Sequence, residues 1–285
     1  RNNSSMTTHP GANLLNQRMV TASLLIAILL ASLFLPWGLF PVLIMFMLAV
    51  SAWEWGTLAR LESASRRIAY VLGILAVFLL ALWFYDHITG FALRIATLVF
   101  WFWILLIPLL IRYPETRPLF QNREVIAGLG AIILLSTACG LLWLKAQEHG
   151  AWLVLCLFFI VSIADSGAYF AGIRWGKNKL APQISPGKTL EGLYGGLLAN
   201  FAFAIILLFG LNMDPEDSFV IVFVILLTSL VSVEGDLLES TIKRAQGVKD
   251  SGTFLPGHGG VLDRIDGICA ATPCFIFCVL FFSLG

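Results

Sequence analysis

The sequence predicts an all-α, polytopic integral membrane protein with about nine transmembrane helices and a cytoplasm-facing polar cavity. Three observations carry that expectation. The 285 residues are 59% hydrophobic and only 12% charged, whereas soluble chains carry about 25% charged residues. Apolar stretches near the ~20 residues that a bilayer span requires recur along the whole chain. The few charges gather in short connections between those stretches.

The predicted helices are about 19–35, 39–58, 67–85, 91–111, 125–144, 151–173, 192–211, 218–238 and 262–284. The first is short, and Pro36-Trp37-Gly38 breaks the chain after it. A re-entrant pair is therefore an alternative to two full spans. Residues 1–17 form a polar N-terminal segment that lacks the n-region and cleavage pattern of a signal peptide. Met6 is a candidate natural start, which would make 1–5 an added leader. Residues 18–150 hold about five helices. Residues 151–285 hold about four, with two Gly-, Pro- and charge-rich cytoplasmic loops at 174–191 and 239–261. Loops on a rigid scaffold are where function tends to sit.

Charge and cysteine usage exclude several classes. The net charge is +1 with no basic stripe, so a nucleic-acid partner is not expected. Cys139, Cys156, Cys269, Cys274 and Cys278 all lie in apolar runs, their number is odd, and no Cys-x-x-Cys occurs. Neither a disulfide framework nor a zinc site follows. In a nine-helix arrangement 16 of the 18 basic residues fall on one side, and only Arg94 and Lys145 fall on the other. Basic residues mark the cytoplasmic face, which predicts the N-terminus inside and the C-terminus outside.

The chemistry-bearing residues concentrate in the last third. Asp263 and Asp266 are three apart at the start of an apolar helix, on one helical face. Asp236 ends the preceding helix near the same membrane level. Three carboxylates meeting at an interface need a reason, because lone charges there are costly. One reason is Mg²⁺, which takes carboxylate and phosphate oxygens. The other is pairing with Arg264, Lys243 or Arg244. Gly257-His258-Gly259-Gly260 offers bare amides just before a helix, where phosphate is favoured; a plain turn is the bland alternative. His258 is read as a proton donor or phosphate contact rather than a metal ligand. Asp165 sits within the sixth helix, where a carboxylate marks either function or a packing hydrogen bond. Ser185-Pro186-Gly187-Lys188-Thr189 looks superficially like a P-loop, but Pro182 stands where Walker A needs glycine. Ser185, Lys188 and Thr189 are expected to contact a triphosphate, with a snorkelling lysine as the alternative.

The stretch from Ser240 onward resembles the signature of the phosphatidate cytidylyltransferase (CDP-diacylglycerol synthase) family. The matching residues are Ser240, Lys243-Arg244, Lys249-Asp250, Gly252, Leu255-Pro256, His258-Gly259-Gly260 and Asp263-Arg264-Ile265-Asp266. The block at 185–192 resembles a second block of that family. Glu234 departs from the pattern, standing where an apolar residue is expected. The resemblance implies that CTP and phosphatidic acid combine to give CDP-diacylglycerol and pyrophosphate, at a bacterial inner membrane among membrane lipids. It implies Asp236, Lys243, Asp263 and Asp266 as catalytic, with Asp236, Asp263 and Asp266 holding Mg²⁺ and room for a second cation. Asp165, Ser185, Lys188, Thr189, Arg244, Lys249, Asp250, His258, Gly259, Gly260 and Arg264 would bind substrate. A homodimer is compatible with the pattern.

Two other classes compete. A CTP-dependent polyprenol or dolichol kinase would use similar groups and transfer the γ-phosphate. A transporter would show inverted repeats and midplane charge, whereas the charges here lie near one face.

Overall fold

The computed structural model describes residues 10–35, 38–84, 92–211, 215–255 and 259–282. Residues 1–9, the breaker at Pro36 and Trp37, and the last three residues lie outside that range. Among the described residues the chain forms helices α1 (Pro10–Phe34), α2 (Leu39–Leu58), α3 (Ala64–Trp83), α4 (Ala92–Ile111), α5 (Arg123–Ala146), α6 (Gly150–Trp175), α7 (Leu190–Leu211), α8 (Pro215–Gln246) and α9 (Leu262–Phe281). α2 through α9 supply eight helices long and apolar enough to cross a membrane; the apolar part of α1, Met19–Phe34, is shorter. Large apolar side chains such as Trp83, Leu98, Phe209 and Phe219 face outward. That surface suits a bilayer, where lipid rather than protein covers them. The chain is an integral membrane protein.

α9 is the central element. From Gly267 to Cys274 every residue is buried, and a helix that is apolar all round belongs in an interior. It packs against α8, α5, α4 and α6. All five cysteines are free thiols, three of them buried on α9. α6 and α7 pack closely along their length. A Cβ at Gly195 would collide with Ala171 and sit 2.9 Å from the Gly167 carbonyl, so small residues on both helices set their separation. Asn200 on α7 binds across three helices, donating to the Ile160 carbonyl at 3.0 Å and the Ser229 hydroxyl at 2.9 Å.

Two elements differ from the sequence expectation. The loop at 174–191 contains a small antiparallel hairpin, β1 (Lys179–Ala181) with β2 (Ser185–Thr189), pairing Lys179 with Thr189 and Ala181 with Ser185. The protein is thus helical with one short hairpin. α8 also runs on to Gln246 instead of ending near 238. Its buried face continues through Leu238, Ile242 and Ala245, which recur at helical spacing. Glu239, Lys243 and Arg244 therefore ride on a rigid helix and not on a loop.

One end of the bundle is tied together by polar contacts. Gln121 donates to the Ala245 carbonyl (3.2 Å) and Gln246 to the Phe120 carbonyl (2.8 Å), joining the α4–α5 connection to the end of α8. Arg244 Nε donates to the Ile184 carbonyl of the hairpin at 3.1 Å. The α4–α5 connection, the hairpin and the end of α8, all of which carry basic residues, thus meet at one end.

Candidate active site

The end of α8, the hairpin, the start of α9 and the 247–261 connection meet at that tied end. α8 presents Asp236, Ser240 and Lys243 one turn apart, a spacing that places them on one face. β2 carries Lys188 towards that face. Its Nζ lies 2.6 Å from Asp236 Oδ2, with both side chains partly open to solvent. Ser240 donates to the other oxygen of Asp236 at 3.1 Å.

A second pair lies deeper. Lys243 Nζ is 2.6 Å from Asp263 Oδ1 and 3.4 Å from Glu239 Oε1. The Gly260 amide donates to Asp263 Oδ2 at 2.9 Å, and the Ser251 amide reaches both Asp263 oxygens at 3.2–3.3 Å. Asp263 accordingly fastens the glycine loop to α8. Among the described residues no three acidic, histidine or cysteine side chains are gathered tightly enough to form a metal cage. Asp236 and Asp263 each face a lysine instead, which is the pairing alternative in the sequence reading. Asp266 accepts from the Gly267 amide at 2.8 Å. It lies within electrostatic reach of Asp236, Lys188 and Glu239. Asp165 on α6 is exposed and within reach of Asp236, Lys188 and Arg264. A small cavity of about 10 Å³ behind Asp266 and Glu239, walled by Trp55 and Trp103, is the interior face of this cluster.

The other predicted residues take varied places. Thr189 is buried, and its hydroxyl accepts from the Gly192 amide at 3.1 Å, so it caps α7. Ser185 starts β2, with Pro186 and Gly187 exposed beyond it. Lys249, Asp250 and Arg264 are exposed. Gly259 adopts φ +82°, a conformation open to glycine. Its carbonyl accepts from the Leu255 amide at 2.9 Å. His258, with Pro256 and Gly257, lies outside the described residues.

Two acids to which the sequence assigned no role are fixed by backbone amides. Glu191 accepts from the Lys177 and Asn178 amides and from the Asn178 side chain, closing the approach to the hairpin. Glu54 on α2 is buried, and its oxygens accept from the Val261 amide at 3.0 Å and the Leu262 amide at 2.8 Å. Those are orphan donors at the start of α9, and a carboxylate there also meets the positive end of the helix dipole. A Cβ at Gly260 would lie 2.7 Å from Glu54 Oε2 and would collide with the Ser251 hydroxyl. Glycine at 260 is what admits the carboxylate. The signal for Glu54 was an acid inside an apolar span.

The chain also resembles known proteins. The model of the cytidylyltransferase family matches residues 16–282. The phosphatidate cytidylyltransferase of Pseudomonas aeruginosa is 40% identical over 273 residues, covering 95% of this chain and 98% of that one. The phosphatidate cytidylyltransferase of Haemophilus influenzae is 38% identical over 292 residues, covering 94% and 99%. Both likenesses run nearly from end to end and so include α2 with Glu54. A protein of the same name from Staphylococcus haemolyticus is 42% identical over 127 residues, 45% of this chain and 48% of that one.

Glu54→Ala should orphan two helix-start amides. Hydrogen bonds to a charged acceptor contribute about 1.5–3 kcal/mol each, so the variant should melt lower in detergent and lose turnover. Glu54→Gln keeps one acceptor and should fall between. Wild-type melting in both variants would show that Glu54 does not hold this end of α9.

Proposed function

The chain belongs to the cytidylyltransferase family, and from that premise we propose that it joins CTP to phosphatidic acid, giving CDP-diacylglycerol and pyrophosphate. The observation that carries this reading is the end-to-end likeness to two proteins named for that reaction. The ion-paired cluster at one end of an apolar bundle suits it, because a soluble nucleotide and a lipid head group meet at such a level.

A phosphate oxygen of the lipid attacks the α-phosphorus of CTP. The bond from that phosphorus to the bridging oxygen breaks, and pyrophosphate leaves with the electron pair. A phosphomonoester is largely dianionic at neutral pH, its second pKa being about 6, so no general base is required. The obstacle is repulsion between two polyanions, and positioning with charge neutralisation is the remedy.

Mg²⁺, when bound, would supply positive charge to offset the phosphates. Asp236, Asp263 and Asp266 are the side chains that would hold it, with room for a second cation. The donor set fits in kind, since Mg²⁺ takes carboxylate oxygens and Asp236 is partly open to solvent; Lys188 and Lys243, at 2.6 Å from Asp236 and Asp263, would have to release them. An open arrangement also suits an ion that keeps water and takes substrate oxygens. Lys188 and Lys243 would then pass from the carboxylates to the phosphates, opening the polar cavity. Arg264, Arg244 and Lys249 would neutralise what remains, and the amides near Gly259 and Gly260 would meet phosphate.

We further propose a bacterial inner-membrane location, with the tied end and the N-terminus in the cytoplasm and the C-terminus outside. The one-sided basic charge supports that orientation.

Purified protein given labelled CTP and phosphatidic acid should form CDP-lipid and pyrophosphate, and chelating Mg²⁺ should stop it. Phospholipid with CDP would mean a kinase, and no product a different class. Asp236→Asn and Asp266→Asn should keep near-normal melting and need more Mg²⁺. Asp263→Asn tests two roles at once. Losing only the buried pair would cost roughly 3–5 kcal/mol, with activity falling in step with melting; a higher Mg²⁺ demand shows ligation. Full activity at ordinary Mg²⁺ removes Asp263 from the site. Reporters fused at Gly285 and in the α2–α3 connection should lie on opposite sides of the membrane; the same side for both would sink the topology.

A further inference from the structure

Two sizeable apolar cavities open among the described residues, and they differ in chemistry. The larger, about 330 Å³, lies between α3, α4, α5 and α9. It has no charged wall, and the hydroxyl of its Ser136 is already donated to the Ile133 carbonyl at 3.0 Å. The second, about 240 Å³, lies between α1, α2, α5, α6 and α9. Arg264 forms part of its wall, on the first turn of α9 between Asp263 and Asp266. Ser51 also lines it; this side chain is fully buried, and its hydroxyl has no hydrogen-bond partner within the protein.

These features line up along one direction. Ser51 lies one turn from Glu54 on α2, and Glu54 holds the start of α9. The groove therefore has its polar end beside the ion-paired cluster. From there its α2 wall runs back through Leu48 and Ile44 to Phe40, about 16 Å at ~1.5 Å rise per residue. The rest is apolar apart from Thr137, whose hydroxyl donates to the Ile133 carbonyl at 2.7 Å. A buried hydroxyl with no partner is costly. A guanidinium at the mouth suits phosphate. An apolar trough of this length suits a hydrocarbon chain.

We propose that this groove receives one acyl chain of the phosphatidic acid substrate, with Ser51 donating to its ester carbonyl and Arg264 meeting its phosphate. The assignment rests on the reading of the chain as a phosphatidic acid enzyme. It adds where the lipid enters, between α1 and α2, and which residues sense its linkage and length. It also gives the N-terminal half a share in substrate selection.

Two ratios test it, each measured as kcat/KM in mixed micelles. The first compares ester-linked with ether-linked phosphatidic acid, since the ether lacks the carbonyl. Ser51→Ala should lower that preference about three- to tenfold, the range for one lost hydrogen bond. The second compares dioleoyl with dihexanoyl phosphatidic acid. Ile28 on α1 lines the groove yet is 41% exposed, so Ile28→Trp can fill the trough without forcing the core. It should lower the long-chain preference by about threefold or more, since each buried methylene contributes ~0.8 kcal/mol, near fourfold. An active protein in which both ratios stay at wild-type values overturns the groove and leaves the functional reading standing. Wild-type protein that makes no CDP-lipid from any of these substrates overturns the functional reading, and the groove falls with it.

Discussion

The Lys243–Asp263 pair is the contact on which the polar end of this protein depends. It joins two helices that cross the same membrane, α8 and α9, at 2.6 Å. Taking charges out of water is expensive, and mutual attraction offsets that cost only when the remaining oxygens are also satisfied. Here the Ser251 and Gly260 amides complete the shell of Asp263. The same contacts fasten the glycine-containing connection against α8. The outer Lys188–Asp236 pair repeats the arrangement where solvent can reach it.

The N-terminal half is no passive membrane anchor. Glu54 reaches from α2 to the first amides of α9, across 207 residues of sequence, and Trp55 beside it donates to the Ile126 carbonyl at 2.7 Å. One turn of α2 thus references both α5 and α9. Ser51, one turn further back, lines the groove beside the cluster. A single helix face connects the scaffold, the start of the central helix and the route open to a lipid.

Polar groups inside the bundle follow the same economy. Asn200 spends its amide hydrogens on Ile160 and Ser229, and Thr272 returns its hydroxyl to the Ile268 carbonyl at 2.7 Å. With no water in the hydrocarbon region, a polar atom must find its partner within the protein. Ser51 is one of several exceptions, with Trp103 Nε1, Asn200 Oδ1, Thr228 Oγ1 and both oxygens of Glu234 among the buried atoms that have no hydrogen-bond partner. Of these, Ser51 lines the groove between α1, α2, α5, α6 and α9.

The sequence by itself determined the membrane class, the helices and the end of the molecule where chemistry gathers. Those properties follow from local physics: apolar length against bilayer thickness, and basic residues that resist crossing it. The spacing from Ser240 to Asp266 likewise carried the family resemblance, because a motif is a local pattern. What it did not contain was pairing. Asp236, Asp263 and Asp266 read as one set, and only the fold shows that Asp263 faces Lys243 and Asp236 faces Lys188. Glu239 and Lys243 read as loop residues, yet the buried face of Leu238, Ile242 and Ala245 carried α8 past them. Thr189 read as a phosphate contact, and the fold adds that its hydroxyl caps α7. Glu54 went unread because its partners are two backbone amides, which carry no residue identity in a sequence. Only packing brings a carboxylate on the second helix to the start of the ninth, so only the tertiary structure decides which charge answers which.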